Sequence, residues 1–359
     1  MQLPVRHRPT AVLVTGGAGF IGSNFLHRMV PRHPDVRFVN LDALTYAGNL
    51  MNLAGLQDAP NYTFVHGDVA DAELVRRLFE THRFSTVVHF AAESHVDRSI
   101  MAPLAFVHAN TLGTVVLLEA ARAAWQTEGD YRFYHVSTDE VFGSLGDEGA
   151  FDETTPYDPR SPYSASKAAS DHFVRAYGHT YGLPAVISNC SNNYGPFLFP
   201  EKLIPLVIAN AMDERPVPVY GEGRNVRDWL YVGDHCEAIE RILHHGDTGR
   251  TYTIGGGAER TNLALVRLLL DLVDEHLGRS PGTAQRLITF VKDRPGHDFR
   301  YAMDFTRLRD ELGWTPRHDL DAGLRETVGW YAAHRDWLDA VRDQSYRSYY
   351  EDQYAGRAG

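Results

Sequence analysis

The chain has 359 residues, of which 43% are hydrophobic and 23% charged, and a formal net charge of −11. That balance suits a globular protein with a large buried core, and the acidic excess excludes a protein that coats nucleic acid with a basic stripe. Two cysteines, Cys190 and Cys236, without CxxC spacing, argue against a disulfide framework or a cysteine zinc site and fit a reducing cytoplasm.

Residues 1–9 lack the apolar core of a signal peptide and read as a loose leader. No apolar run is expected to reach the roughly 18 residues of a membrane span. Ala11–Thr15 (AVLVT) is apolar and rich in β-branched residues, the pattern of a buried parallel strand. It runs into Gly16-Gly-Ala-Gly19-Phe20-Ile21-Gly22 and a helix over about 20–31. Glycines in that setting allow a tight turn and bring backbone close to a pyrophosphate at the helix N-terminus. The next strand, 36–41, ends at Asp42, placed to accept hydrogen bonds from a ribose diol. A carboxylate repels a 2′-phosphate, and positions 43–49 (ALTYAGN) hold no Arg or Lys, so NAD is expected rather than NADP.

Strands follow at 62–66 and 86–90, with an amphipathic helix near 71–82 between them. Gly67-Asp68-Val69 is placed to cover an adenine. Phe90-Ala91-Ala92-Glu93-Ser94 offers small residues against a second ribose and nicotinamide, and His95, Asp97 and Arg98 continue as a polar loop. A helix near 104–126, a strand at 131–136, a helix from Pro162 to about Tyr181 and a strand at 185–188 complete the alternation. Such alternation means βαβ units and a Rossmann-type doubly wound parallel sheet. Beyond Cys190 Asn, Gly and Pro become frequent. Residues 1–190 are therefore assigned to an NAD-binding domain and 191–359 to a smaller substrate-binding lobe, with segments near 229–255 expected to return to the first. The tyrosine-rich tail from 343 carries no readable role.

The chemistry concentrates in two stretches. Ser137-Thr138-Asp139-Glu140 closes a strand, and Tyr163 and Lys167 stand four apart at the start of a helix, on one face. An ammonium there is expected to lower the phenol's pKa and make it a base for an alcohol proton. Adjacent Asp and Glu add an acid and a second base, which suggests oxidation coupled to elimination. Lysine is scarce: Lys167, Lys202 and Lys292 are the only three.

Together, TGGAGFIGSNF (15–25), LDALTYAGN (41–49), HFAAESHVDRSI (89–100), STDEVFG (137–143), PYSASKAASD (162–171), CSNNYGP (190–196), FPEKLIP (199–205), RDWLYV (227–232) and DRPGHD (293–298) resemble the dTDP-glucose 4,6-dehydratase family of the extended short-chain dehydrogenase/reductase superfamily. The resemblance implies a tightly held NAD, regenerated in each turnover, with Ala43, Leu44, Thr45, Tyr163, Lys167 and Asn193 adding to its contacts. Tyr163 would remove the sugar's 4-hydroxyl proton and Glu140 the C5 proton. Asp139 would protonate the leaving 6-hydroxyl, and Thr138 would bond the 4-oxygen. Substrate contacts are implied at Ser94, Asn192, Lys202, Leu203, Pro218, Val219, Tyr220, Asn262 and His297. Arg227 and Arg294 are candidates for the diphosphate, because a guanidinium binds phosphate bidentately. The resemblance also implies a homodimer through a four-helix bundle built from the helices near 104–126 and 161–181. Ala43 departs from it, since many relatives carry Lys there. The alternatives are a nucleotide-sugar epimerase or decarboxylase, which would not need Asp139 and Glu140, a GDP-mannose dehydratase, disfavoured by Asp42, and a non-catalytic dinucleotide sensor.

Overall fold

A computed structural model describes residues 3–293 and 296–342. The proposed diphosphate ligand Arg294 and the tail from 343 lie outside the described residues.

The first half runs β1 (Ala11–Thr15), α1 (Phe20–Arg32), β2 (Arg37–Asp42), β3 (Tyr62–His66), α2 (Ala72–His82) and β4 (Thr86–His89), alternating except between β2 and β3, which only a short 3-10 turn at Leu50–Leu53 separates. Next come α3 (Val96–Met101), α4 (Pro103–Phe106), a π-helical stretch Val107–Leu112 and α5 (Gly113–Ala124), then β5 (Arg132–Thr138), α6 (Pro162–Tyr181) and β6 (Ala185–Cys190). The second half holds β7 (Asn192–Tyr194), α7 (Leu203–Met212), β8 (Val217–Tyr220), β9 (Val226–Tyr231), α8 (Val232–His245), β10 (Thr251–Ile254), β11 (Glu259–Thr261) and α9 (Asn262–His276). It ends with β12 (Ile288–Val291), α10 (Thr306–Leu312), α11 (Leu320–Ala333) and α12 (Arg335–Val341).

Seven strands form one parallel sheet in the order β10-β6-β5-β4-β1-β2-β3. The order runs outward in both directions from β1 and β4, so a crevice opens at their carboxyl ends, where such sheets take their ligands. β1, β4, β5 and β6 are buried along their whole length, as strands covered by helices on both faces must be. The smaller lobe has its own core around Val207, Leu265, Leu269, Leu324 and Tyr331, over two small sheets, β11-β9-β7 and β12-β8.

The segment 229–255 divides. β9 pairs within the lobe's small sheet, whereas β10 pairs with β6 at the edge of the main sheet. Between them, α8 joins the main core through Cys236, Ile239 and Ile242 and ties to α1 by an Arg28–Glu240 ion pair at 2.6 Å.

The start of the described chain is no loose leader. The Arg6 and His7 amides donate to the His244 carbonyl, and buried His7 places Nε2 2.8 Å from the Thr86 hydroxyl. This strap pairs residues far apart in sequence, which no local pattern reveals. Cys190 and Cys236 are both buried free thiols. The helical run Pro103–Ala124 is long and apolar enough, by length and composition, to cross a membrane. Polar His108, Asn110 and Thr111 interrupt it, and Leu117, Leu118 and Ala121 face the sheet core.

Candidate active site

A cavity of about 470 Å³ lies between the sheet's crevice and the smaller lobe. Every described cofactor, catalytic and substrate candidate from the sequence borders it except Leu44, whose amide instead donates to Asp42 Oδ1 at 2.8 Å.

At one end, α1 is preceded by Gly19 at its N-cap, with no side-chain cap, leaving its first amides for a ligand. Gly16 has φ 72°, and a Cβ there would sit 2.6 Å from the Ala91 backbone; one on Gly22 would sit 2.3 Å from the Gly16 carbonyl oxygen. The turn therefore needs glycine for its own packing as well as for a ligand. Asp42 Oδ2 accepts the Ala18 amide at 2.8 Å. Burial raises the Asp42 pKa, and the Leu44 and Ala18 amides oppose that shift. Uncapped helix amides beside an anchored carboxylate form a donor and acceptor set that fits a dinucleotide with a free ribose diol.

The loop after β4 is held by Asn110 in the π-helical stretch. Asn110 Oδ1 accepts the Glu93 amide at 2.8 Å, and its Nδ2 donates to the Glu93 carbonyl at 3.0 Å and to Ser166 Oγ at 2.8 Å. A second loop, 196–202, closes over this side. Lys202 Nζ donates to the Ser94 carbonyl at 2.9 Å, Arg98 Nε to Glu201 Oε2 at 3.1 Å, and Asn24 Nδ2 to the Pro196 carbonyl at 2.9 Å.

The candidate reacting groups stand mid-cavity. A capping box between Ser161 and Ser164, with Pro162 at the first helical position, fixes the first turn of α6 and with it Tyr163. Lys167 Nζ donates to the Val136 carbonyl at 2.9 Å. Thr138 Oγ1 donates to Asp139 Oδ1 at 3.2 Å and accepts the Glu140 amide at 3.3 Å. Asp139 is buried, and its Oδ2 lacks a hydrogen-bond partner among the described residues. Burial first, then the Glu140 carboxylate, push its pKa well up.

One expectation is reversed. The Tyr163 pKa is not lowered: burial, then Glu140, hold the phenol well above its ordinary value. Burial also weakens the Lys167 ammonium. In this protein alone, desolvation is the largest influence on the phenol.

At the substrate end, Arg227 donates to the carbonyls of Val226 at 2.7 Å, Phe299 at 3.3 Å and Asp298 at 2.9 Å. Its guanidinium stacks on the Tyr301 ring, 4.3 Å from the centroid. Sequence reasoning passed over Tyr301 and Glu201, both of which border the cavity. Glu201 stands inside the quoted FPEKLIP run, and Tyr301 three residues past DRPGHD.

The family described as GDP-mannose 4,6-dehydratase matches residues 13–327. The chain belongs to that family. A curated relative from Xanthomonas campestris pv. campestris (strain B100), named dTDP-glucose 4,6-dehydratase, is 56% identical over 341 residues, covering 93% of this chain and 97% of its own. The crystal structure of DesIV (dTDP-glucose 4,6-dehydratase) from Streptomyces venezuelae with NAD and TYD bound superposes with a TM-score of 0.85 at 46% identity, over 92% of this chain and 99% of its own. A Thermus thermophilus UDP-glucose 4-epimerase complex with NAD reaches a TM-score of 0.80 at 31% identity, over 90% of this chain and 99% of its own. Dehydratase and epimerase thus share this fold, and the side chains must discriminate between them.

Proposed function

We propose that this chain is an NAD-dependent dTDP-glucose 4,6-dehydratase, which converts its substrate to dTDP-4-keto-6-deoxyglucose with loss of water. The observation that carries the choice over an epimerase is Asp139. It is a buried carboxyl whose proton affinity burial and Glu140 raise, next to Glu140 and beside Tyr163 and Lys167. An epimerase has no use for an acid aimed at a leaving hydroxyl.

NAD, when bound, supplies the hydride acceptor and a positively charged ring. Tyr163 takes the 4-hydroxyl proton, with Lys167 supporting its negative charge and Thr138 bonding the 4-oxygen. The 4-ketone so formed acidifies the C5 proton, which Glu140 removes. Asp139 gives its proton to the departing 6-hydroxyl, so the C6–O bond breaks and water leaves. Glu140 then returns a proton to C5 as hydride reaches C6. Environments that push two adjacent carboxyls apart are what separate acid from base. Arg227 and Asn192 are assigned to the substrate diphosphate, and Lys202, Asn262 and His297 to further substrate contacts around the same cavity.

Incubation with dTDP-glucose and no added NAD tests the proposal. The 4-keto-6-deoxy product, read by its alkali-induced absorbance, is the expected result. Absence of product in NAD-loaded protein, with epimerised sugar in its place, overturns it.

A homodimer is proposed as well. Met101, Leu104, Val107 and Leu112, with Phe173 and Tyr181 on α6, are large apolar side chains left exposed, Leu104 at 80%. Such a patch favours association. Sedimentation should give twice the chain mass, reduced to one by Leu104→Glu.

A further inference from the structure

Behind the reacting groups runs a buried polar cluster that the steps above do not use. Alternate residues of β5, His135 and Ser137, share one strand face, and both meet Asp171 on α6. His135 Nε2 lies 3.1 Å from Oδ1, and Ser137 Oγ donates to Oδ2 at 2.7 Å. The Tyr157 hydroxyl donates to the same oxygen at 2.7 Å and itself accepts from Arg175 at 2.7 Å. Asn189 Nδ2 on β6 stands 3.4 Å from Oδ2. Between the two β5 contacts, the Val136 carbonyl accepts Lys167. Tyr163, Lys167 and Asp171 follow one another at four-residue steps, a single stripe along α6.

Asp171, His135 and Lys167 are all buried. A carboxylate taken fully out of water persists only with compensation. Burial opposes its ionisation, and the His135, Lys167 and Ser137 neighbours outweigh burial, leaving the carboxyl below its ordinary range. His135 is not the compensating cation, because burial pushes it down to about 4. His89 on β4 is held neutral by burial too. Arg175 reaches Tyr157 rather than the carboxylate. That leaves the ammonium.

From the lysine's side the choice is equally narrow. Burial works against its charge, and only Asp171 and Cys190 favour it. The Cys190 thiol, pushed up to about 12 by burial, carries no charge. Burial and Glu140 push the Asp139 carboxyl well up, and Glu140, beyond it on the same turn, bears on Tyr163.

We infer that Asp171 is a positioning residue for the oxidation step: its carboxylate, fixed by Ser137 and Tyr157, keeps Lys167 an ammonium beside Tyr163. The assignment rests on the dehydratase reading for its consequence, while the charge on Lys167 is measurable without substrate. With only three lysines in the chain, protein carrying ¹³C-labelled lysine gives three resolvable side-chain signals, assigned by Lys202→Arg and Lys292→Arg. In Asp171→Asn the loss of a neighbouring anion lowers the pKa of Lys167, with proton affinity falling about tenfold or more. C4 hydride transfer should slow by about tenfold or more near neutrality with little change in KM, and the alkaline limb of its pH profile should move to lower pH. Asp171→Glu should restore part of both. Should Asp171→Asn fail to fold, Tyr157→Phe, which withdraws one donor from the carboxylate, should move both readouts the same way by a smaller step. A folded Asp171→Asn, or in its absence Tyr157→Phe, with an unshifted Lys167 titration and a superposable pH profile overturns the inference. Failure of wild-type protein to form the keto sugar would instead strike the dehydratase assignment, leaving the lysine titration intact.

Discussion

Thr138 donates its hydroxyl to Asp139 at 3.2 Å while its oxygen accepts the Glu140 amide at 3.3 Å. One small side chain at the end of β5 thereby orients an acid and fixes the backbone that carries a base. The two carboxyls differ in setting, one fully enclosed and one half-buried in the cavity wall.

Glu140→Gln should divide the reaction. Net water loss should fall by about 10²–10⁴, the range for losing a general base. Reduction of bound NAD by substrate should remain visible as reduced-nicotinamide absorbance in a single turnover. Undiminished dehydration would remove Glu140 from the C5 step.

Asp139→Asn should abolish most water elimination and, at neutral pH, stabilise the fold. The native carboxyl has a raised pKa, so the folded state binds its proton more tightly than the unfolded chain does. Stability therefore falls as pH rises from the unfolded value, about 3.9, toward the higher folded one. Asparagine has no such proton to lose. The variant's melting temperature should exceed wild type near pH 7, and the gap should close as pH falls toward about 4. A gap constant with pH would contradict the buried-acid assignment.

Arg227→Ala should raise the KM for dTDP-glucose about tenfold or more, through loss of a charge-assisted phosphate contact. Some loss of melting temperature should accompany it, because the guanidinium also bonds three backbone carbonyls and covers Tyr301. Arg227→Lys should recover charge but not the planar stacking, and so only part of the affinity. An unchanged KM in Arg227→Ala would exclude it from the diphosphate site.

His7→Ala should destabilise the protein by about 1–3 kcal/mol, since it removes a buried hydrogen bond to the Thr86 hydroxyl and leaves a void. The steady-state constants of the folded fraction should not change, as His7 lies away from the cavity. Denaturant titration and initial rates separate the two effects; a melting curve like wild type would mean that the strap contributes nothing.

The glycine turn, Asp42 and the Asp139-Glu140 pair were legible because each is a local arrangement whose neighbours in sequence are its neighbours in space. The alternation of strands and helices pointed to the sheet for the same reason. Tyr301 and Glu201 were not legible: each reaches the cavity by docking of a distant loop, one onto Arg227 and one onto Arg98. Asp171 sits in a small polar run, SKAASD, that reads as an ordinary helix surface until β5 is laid against it. The direction of the Tyr163 shift is hidden from the sequence because i, i+4 spacing reveals a charge's position but not the dehydration of the groups around it.

The main sheet takes its last strand late. β6 is synthesised first, and its outer edge is paired only when β10 arrives, after residues 191–250 have gone to build α7, β9 and α8. A polypeptide halted near residue 190 would leave the outer edge of the six-residue β6 with unpaired amides and carbonyls, an invitation to aggregate. The nascent dinucleotide half is therefore in its most hazardous state on the ribosome just when it looks complete, and expression of that half alone should yield inclusion bodies rather than a small NAD-binding module.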